Sequence, residues 1–331
     1  MHEYDYREKW KGLLTPDIVR MLTQIHEYKG EQNLFLRVKE NDLLSFADIV
    51  RIQSVEASNR MEGICADTAE RLRKLVKDKT VPRTKNEEKI AGYRDMWNMI
   101  RDNYEHIPPK AAIILQIHSD LYKFEGCNIG GSFKDEDCSR SVETLCRTFQ
   151  EALGTEVVDP LVLIPMFVLD FLCMHPFETG NERMGRLLML LLLYRSGYTV
   201  GRYVSIEKLM ESTEQAYDAS LRASSLRWYE NDNDYKPFVK YVIMIVLSAY
   251  EECSSKINWL IMNDKSKTDR VRSLIQDTPG MITKAEILRK CPDISQITVQ
   301  RALADLVASG KVVKIGGGRY TKYEWAKDLQ G

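Results

Sequence analysis

The sequence has no excess of either charge, and its few cysteines show no pairing pattern. Lys and Arg total 47 residues against 48 Asp and Glu in a chain of 331 residues. No overall charge therefore draws the molecule to nucleic acid or to a membrane, so any such attraction must be local. The seven cysteines are scattered and never spaced as Cys-x-x-Cys, which argues against a disulfide framework or a zinc site and favours the reducing cytoplasm.

Long apolar runs are also missing from the sequence. The strongest apolar stretch, residues 161–174, is interrupted by Pro165 and Asp170 and is too short to cross a hydrocarbon layer of ~30 Å. The first residues carry charges where a signal peptide has an apolar core. We therefore expect neither a membrane-spanning segment nor export.

Helical periodicity dominates what is present. With 44% hydrophobic and 29% charged residues, the composition is that of a globular protein. Ile90, Tyr93 and Trp97 recur at spacings of three and four, which is the pattern of one helix face. Residues 160–174 and 187–194 are apolar nearly all round, so they predict helices in the middle of a bundle. The sequence therefore predicts a mainly α fold.

The chain is longer than a single core usually grows, and its composition shifts at Lys265. From there to the end, 13 basic residues face 7 acidic ones. Residues 295–309 predict a helix, and residues 312–320, with a turn at Gly316, predict a two-stranded wing. We expect three regions, an N-terminal helical region at 1–105, a core at 106–262 and a small winged-helix domain at 265–331.

The predicted winged helix offers a basic surface that could hold the phosphates of DNA. Its candidate contacts are Gln296, Thr298, Gln300, Arg301, Lys311, Lys314 and Arg319. Winged helices also serve as packing modules, and the charge surplus is modest, so DNA binding and a packing role both stay open.

A polar loop at residues 175–186 separates the two apolar helices and carries the candidate chemistry. Backbone N–H groups in the first turn of the second helix lack partners and attract an anion. Arg183 and Arg186, three residues apart, project from one face of that turn and could clamp phosphates. His175 ends the first helix, and a histidine can accept a proton at neutral pH. Singly, such residues are more often caps or salt-bridge partners, but together they indicate a site for phosphate chemistry.

The loop His175-Pro-Phe-Glu-Thr-Gly-Asn-Glu-Arg-Met-Gly-Arg186 resembles that of the Fic family, whose pattern is His-x-Phe-x-(Asp/Glu)-Gly-Asn-Gly-Arg-x-x-Arg. The resemblance extends over most of the chain before the C-terminal domain. It implies a Fic-type helical bundle that transfers AMP from ATP to a Ser, Thr or Tyr hydroxyl of a target protein. It further implies His175 as general base, Gly180 and Asn181 in the anion site, Arg183 and Arg186 on the outer phosphates, and Phe177 as an apolar anchor.

The same resemblance assigns two further elements. Ile129, Gly130 and Gly131 correspond to the Fic flap, which is expected as a short β-hairpin that aligns the target segment by strand pairing. Tyr217 corresponds to a family tyrosine near the adenine.

Two loop positions differ from the family pattern. Thr179 stands where Fic proteins have an acid that holds magnesium, and a neutral oxygen is a poor ligand for a hard cation. Glu182 replaces a glycine and adds a negative charge, which at ~4 Å and an effective dielectric near ~20 repels a phosphate charge by about 4 kcal/mol. The ligand of Mg²⁺ or Mn²⁺ therefore stays open, with Glu178 and Glu182 as substitutes, and the altered loop could lower or change the activity.

The segment Ser58-Asn-Arg-Met-Glu62-Gly63 resembles the inhibitory motif (Ser/Thr)-x-x-x-Glu-(Gly/Asn) of Fic proteins with an N-terminal inhibitory helix. It therefore indicates that the chain inhibits its own activity. The resemblance implies that Glu62 pairs with Arg186 and occupies the space of the γ-phosphate. The alternative is an ordinary helix that ends at Gly63 with a solvated Glu62.

Two functions are therefore open. The first is an autoinhibited protein adenylyltransferase that uses ATP and acts on a target protein or on itself, with a homodimer as a further option. The second is a degenerate Fic nucleotide sensor or scaffold that acts as a DNA-binding regulator through its winged helix. Thr179 and Glu182 favour the second function, whereas His175, both loop arginines and Glu62 favour the first.

Overall fold

The chain folds into two compact units, Met1–Ser255 and Lys256–Gly331. Helix predominates in the first unit, and the strands lie in the second, so the expectation of a mainly α fold is confirmed. The computed structural model describes residues 2–44, 46–126, 129–264, 266–278, 280–292, 294–318 and 321–326.

The first unit is built from α-helices joined by short loops. The last of these helices continues beyond Ser255. The helices are α1 (Pro16–Leu44), α2 (Ala47–Arg60), α3 (Ala69–Lys77), α4 (Lys85–Asn103), α5 (Ala111–Leu121), α6 (Glu136–Leu153), α7 (Pro160–Met174), α8 (Asn181–Arg195), α9 (Ile206–Ser212), α10 (Glu214–Ser225) and α11 (Lys236–Asp264).

Helices α7 and α8 form the centre of the first unit. Every residue from Leu161 to Leu172 is buried, and so is every residue from Arg183 to Tyr194. Each fully buried Leu, Val or Phe side chain contributes about 1.5–3 kcal/mol, which is why the apolar sequence of both helices holds them inside the bundle. Helix α6 packs on α7, α4 packs on α8, and α2 packs on α4 and α9. The loop between α7 and α8 is thus held between two rigid elements.

A buried carboxylate fixes the N-terminal segment to α7. Asp170 accepts hydrogen bonds from the hydroxyls of Tyr6 and Tyr235 at 2.5 and 2.8 Å, and from the indole N–H of Trp228 at 2.7 Å. Burial raises the pKa of Asp170 to about 6, although these three hydrogen bonds oppose the change. The ring of His2 stacks on Trp228 at 4.2 Å, so residues near the N-terminus are part of the packed fold.

The second unit combines helices with an antiparallel sheet in the order β1-β3-β2. Its core includes Val271, Ile287, Val299 and Leu303. The elements are α12 (Lys267–Gln276), β1 (Met281–Thr283), α13 (Lys284–Lys290), α14 (Gln296–Ala308), β2 (Val312–Ile315) and β3 (Lys322–Trp325).

Strands β2 and β3 pair where the sequence predicts a wing. Val312 lies opposite Trp325, and Ile315 lies opposite Lys322. Strand β3 begins at Lys322, beyond the end of the predicted range, and Arg319 and Tyr320 lie outside the described residues. Strand β1, which the sequence did not predict, pairs with the other edge of β3.

The sequence predicted neither a membrane-spanning segment nor a disulfide framework. Within the ranges given above, no helix combines the length and the apolar character needed to cross a bilayer. None of the six described cysteines forms a disulfide, and Cys127 lies outside the described residues.

Candidate active site

His175 stands where α7 gives way to the loop. Its backbone is left-handed, with φ of 52°, and its N–H donates to the Phe171 carbonyl at 3.1 Å. Ring Nδ1 lies 3.3 Å from the carbonyl oxygen of Leu172, and only a protonated Nδ1 can donate to that oxygen. Nε2 then carries the free lone pair, and the side chain is exposed. The end of α7 therefore presents a base to solvent.

Two reciprocal hydrogen bonds between Phe177 and Asn181 shape the loop. The Phe177 N–H donates to Oδ1 of Asn181 at 3.0 Å, and Nδ2 of Asn181 donates to the Phe177 carbonyl at 2.7 Å. Both residues are buried. The side-chain amide of Asn181 is thus engaged within the loop, and its backbone lies in the first turn of α8.

Gly180 is required at the start of α8 for two reasons. Its φ of 77° lies in the left-handed region that favours glycine. A Cβ at this position would lie 2.5 Å from the hydroxyl oxygen of Tyr122. The close approach of Tyr122 and the turn of the chain therefore both exclude a larger residue.

The two loop arginines are buried at the base of the site. Arg183 is 1% exposed and Arg186 is 3% exposed. Arg183 donates from Nη2 to the Tyr122 hydroxyl at 2.9 Å, and its guanidinium carbon lies 5.1 Å from the centre of the Tyr122 ring. Arg186 donates from Nε to the Ser58 hydroxyl at 2.7 Å and from Nη2 to the Ser58 carbonyl at 2.9 Å.

Glu62, just beyond the end of α2, joins both arginines. Its Oε1 accepts from Nη2 of Arg186 at 2.5 Å, and its Oε2 lies 3.5 Å from Nε of Arg183. The Glu62 side chain is 24% exposed and its carboxylate is paired with buried Arg186, so it is not the solvated side chain of an ordinary helix end. Burial alone would lower the pKa of Arg186, but the charge of Glu62 leads the effects that hold this pKa above its ordinary value. The chain thus places an anionic group against two buried cations.

The match with a known family falls on this region. Residues 108–193 match the Fic/DOC family. The matched segment contains α5, α6, α7, the complete loop 175–186 and most of α8. A search of curated proteins gives no match.

Solved Fic structures share the fold of the chain. A Fic family protein from Desulfovibrio desulfuricans G20 is 19% identical with a TM-score of 0.57, over 96% of this chain and 98% of that one. A Fic domain containing signaling protein from Bacteroides thetaiotaomicron VPI-5482 is 17% identical with a TM-score of 0.59, over 73% and 97%. A form of Fic-1 from C. elegans is 18% identical with a TM-score of 0.61, over 74% of each chain. The mainly helical Fic fold is therefore established.

The two residues that differ from the Fic loop pattern are each bonded to a tyrosine hydroxyl. Thr179 Oγ1 shares a short hydrogen bond with Tyr122, and Glu182 Oε2 accepts from Tyr217 at 2.9 Å. Tyr217 is buried, with its ring centre 5.8 Å from that of Tyr241. Burial, followed by the charge of Glu182, raises the pKa of Tyr217 well above its usual range. The hydroxyl of Tyr217 thus donates its hydrogen bond to Glu182.

The side chains of the loop do not form a binding site for a divalent cation. Among the described residues, no group of three or more His, Cys, Asp or Glu side chains could hold a metal ion. Thr179 contributes a hydroxyl that Tyr122 already uses, and Glu182 is engaged with Tyr217. Glu178 is exposed, and it is the remaining carboxylate of the loop.

The flap segment, taken here as residues 129–134, lies against the loop. The Lys134 N–H donates to the Pro176 carbonyl at 3.0 Å, and the ring of Phe133 stacks on Phe177 at 5.1 Å. Ile129, Gly130 and Gly131 lie in bends, without the strand pairing of the expected hairpin, and Cys127 and Asn128 are outside the described residues. A Cβ on Gly130 would lie 2.7 Å from the His118 carbonyl oxygen, so the flap closely approaches α5.

His118 in α5 and Tyr122 just beyond its end, which sequence reasoning missed, support this arrangement. His118 is 1% exposed and stacks on Phe177, with ring centres 3.7 Å apart and planes 4° from parallel. Its Nε2 lies 3.1 Å from the Thr179 carbonyl oxygen, and the Gly131 N–H donates to its Nδ1 at 3.0 Å. Burial lowers the pKa of His118 to about 4, despite the opposing bond to Thr179. The sequence feature that could have revealed His118 is its place, as a histidine, on the apolar face of α5.

Proposed function

We propose that the chain is an autoinhibited protein adenylyltransferase, which transfers AMP from ATP to a Ser, Thr or Tyr hydroxyl of a target protein or of itself. The observation that carries this proposal is the Glu62 carboxylate against Arg183 and Arg186. Two guanidinium groups this deeply buried need an anion beside them. A carboxylate in that position supports a pocket that accepts phosphate groups when Glu62 moves away.

The arrangement supports in-line transfer with His175 as the base. Nε2 of His175 takes the proton of the target hydroxyl, and the hydroxyl oxygen attacks the α-phosphorus of ATP. The new bond joins that oxygen to phosphorus, the bond from the α-phosphorus to the bridging oxygen breaks, and pyrophosphate leaves. Arg183, Arg186 and the first-turn N–H groups of α8 stabilise the negative charge on the departing phosphates. The proton on His175 then passes to solvent.

Autoinhibition follows from the charge of Glu62. A carboxylate and a phosphate cannot share the same guanidinium, because like charges ~4 Å apart repel by about 4 kcal/mol at an effective dielectric near ~20. Productive binding of ATP therefore requires Glu62 to leave Arg186. The bond between Ser58 and Arg186 supports the same restraint by tying α2 to α8.

The test is transfer of radiolabelled AMP from ATP by the Glu62→Gly variant of the full chain. We expect strong labelling of the protein itself or of an added cell extract, weak labelling by the wild type, and none by Glu62→Gly combined with His175→Ala. Labelling that is unchanged by His175→Ala would contradict the proposed base. Absence of labelling in the Glu62→Gly variant would count against the transferase.

A second candidate is a Fic protein that has become a DNA-binding regulator. The observations in its favour are the engaged positions Thr179 and Glu182, together with exposed Gln300 and Arg301 on α14 and Lys314 on β2. Fluorescence anisotropy with a labelled DNA duplex tests it on the full chain. Binding that weakens with salt and with Arg301→Ala would support this role, and no binding at low salt would reject it.

A further inference from the structure

We infer that His118 is a positioning residue that fixes the flap and the catalytic loop in one geometry. This inference rests on the proposed transfer reaction, because it concerns the alignment of the target hydroxyl with His175. His118 belongs to α5, whereas Thr179 belongs to the loop and Gly131 to the flap. One imidazole therefore bonds to both segments between which the target must lie.

The two hydrogen bonds require a single form of the ring. The Gly131 N–H can only donate, so Nδ1 must carry a lone pair, and the Thr179 carbonyl can only accept, so Nε2 must carry the proton. The neutral ring with Nε2 protonated satisfies both partners. A protonated ring would leave the Gly131 N–H without its acceptor, and the burial that depresses the pKa of His118 opposes that form.

Stacking adds a second restraint on the same segments. The ring of Phe177 lies between His118 at 3.7 Å and Phe133 at 5.1 Å, so α5, the loop and the flap contribute one ring each. Tyr122, one helical turn beyond His118, bonds to the side chain of Thr179, while His118 bonds to its carbonyl. The carbonyl of Thr179 is thus held from α5, and its side chain is held by the residue directly after α5.

Three substitutions separate the roles of the ring, each made in the Glu62→Gly background. In His118→Asn, Oδ1 can replace Nδ1 as the acceptor for Gly131, but the donor to Thr179 is lost. In His118→Gln, Nε2 can replace the donor to Thr179, but the acceptor for Gly131 is lost. His118→Phe keeps the stack on Phe177 and loses both hydrogen bonds.

Amide hydrogen exchange measures the two links independently of activity. We expect faster exchange at residues 129–134 in His118→Gln, at residues 177–181 in His118→Asn, and at both in His118→Phe. In labelling assays, all three variants should transfer AMP roughly 10- to 100-fold more slowly than the Glu62→Gly parent. Their dissociation constants for ATP, measured by calorimetry, should stay within about twofold of the parent, because no phosphate contact is removed.

The outcomes distinguish the two proposals. If His118→Phe exchanges and transfers like the parent, His118 is only a packing residue and the inference is overturned. Equal exchange changes in His118→Asn and His118→Gln would overturn it as well, because the two links would not be separable. If the parent transfers no AMP, the proposed function fails, and the exchange pattern alone decides whether His118 joins the flap to the loop.

Discussion

At the scale of single residues, the site depends on side chains whose partners are distant in the sequence. Arg186 bonds to Ser58 and Glu62, which lie 128 and 124 residues before it. Removing one partner of a buried ion pair costs roughly 3–5 kcal/mol, because the remaining charge is left uncompensated. Glu62 therefore stabilises the two buried arginines, and in the proposed function it also excludes phosphate from them.

Gly180→Ala should destabilise the protein by about 1–3 kcal/mol, because alanine is strained at positive φ and its Cβ would meet the Tyr122 hydroxyl. Urea unfolding followed by circular dichroism measures the change. Gly30→Ala in α1 is the matched control, since nothing lies near its Cβ and alanine favours helix, so this variant should be unchanged or more stable. Equal stability of Gly180→Ala and wild type would argue against the close approach of Tyr122.

Acid should weaken the fold through His118. The folded pKa is about 4 against 6.5 for the ordinary side chain, so the unfolded state binds more protons between these values. Stability contributed by neutral His118 is complete above pH 6.5 and is lost as the pH falls toward 4. The free energy of unfolding of wild type, relative to His118→Gln, should therefore drop by about 3 kcal/mol across this window. A difference that stays constant with pH would contradict the neutral ring.

At the scale of elements, the sequence predicted those helices whose limits are set locally. Helix α7 spans residues 160–174 as expected, because Asp159 caps it and Pro160 occupies its first turn. Helix α5 ends at Leu121. His118 near the end of α5 and Tyr122 just beyond it escaped detection, because their partner Thr179 lies 61 and 57 residues away.

The proposed inhibitory role of the end of α2 can be tested one residue at a time. Ser58→Ala removes the hydroxyl that accepts from Arg186. The hold of α2 on Arg186 should therefore weaken, and ATP should bind about two- to tenfold more tightly. Ser54→Ala, one turn earlier in α2, removes a buried hydroxyl that donates to Ser205, and it should leave the affinity for ATP unchanged. Calorimetric titration compares the two variants. Identical affinities for ATP would show that Ser58 takes no part in the inhibition.

At the scale of the whole molecule, composition and periodicity were sufficient for the helical fold but not for its long-range pairings. The all-round apolar character of α7 and α8 predicted their central position. The three-residue strand β1 was missed because it is stabilised by β3, with Met281 opposite Glu324 more than 40 residues later. The attachment of residues 2–6 to Asp170 was missed for the same reason.

Asp170→Ala should destabilise the first unit by about 3–5 kcal/mol, because Tyr6, Trp228 and Tyr235 would all lose their acceptor inside the core. Asp137→Ala is the control, since this exposed residue of α6 pairs with Arg140 at the surface, and such pairs contribute about 0–1 kcal/mol. Thermal unfolding distinguishes them. Similar melting temperatures for both variants would show that Asp170 does not anchor the N-terminal segment.

The most direct test of the site is calorimetric titration of ATP into the wild-type chain and into Glu62→Gly. Because a hydrogen bond to a charged group contributes about 1.5–3 kcal/mol, removing the carboxylate that competes for Arg186 should tighten ATP binding roughly 10- to 100-fold. Equal affinity of the two proteins, or no binding by either, would contradict the assignment of Glu62 to the place of a phosphate.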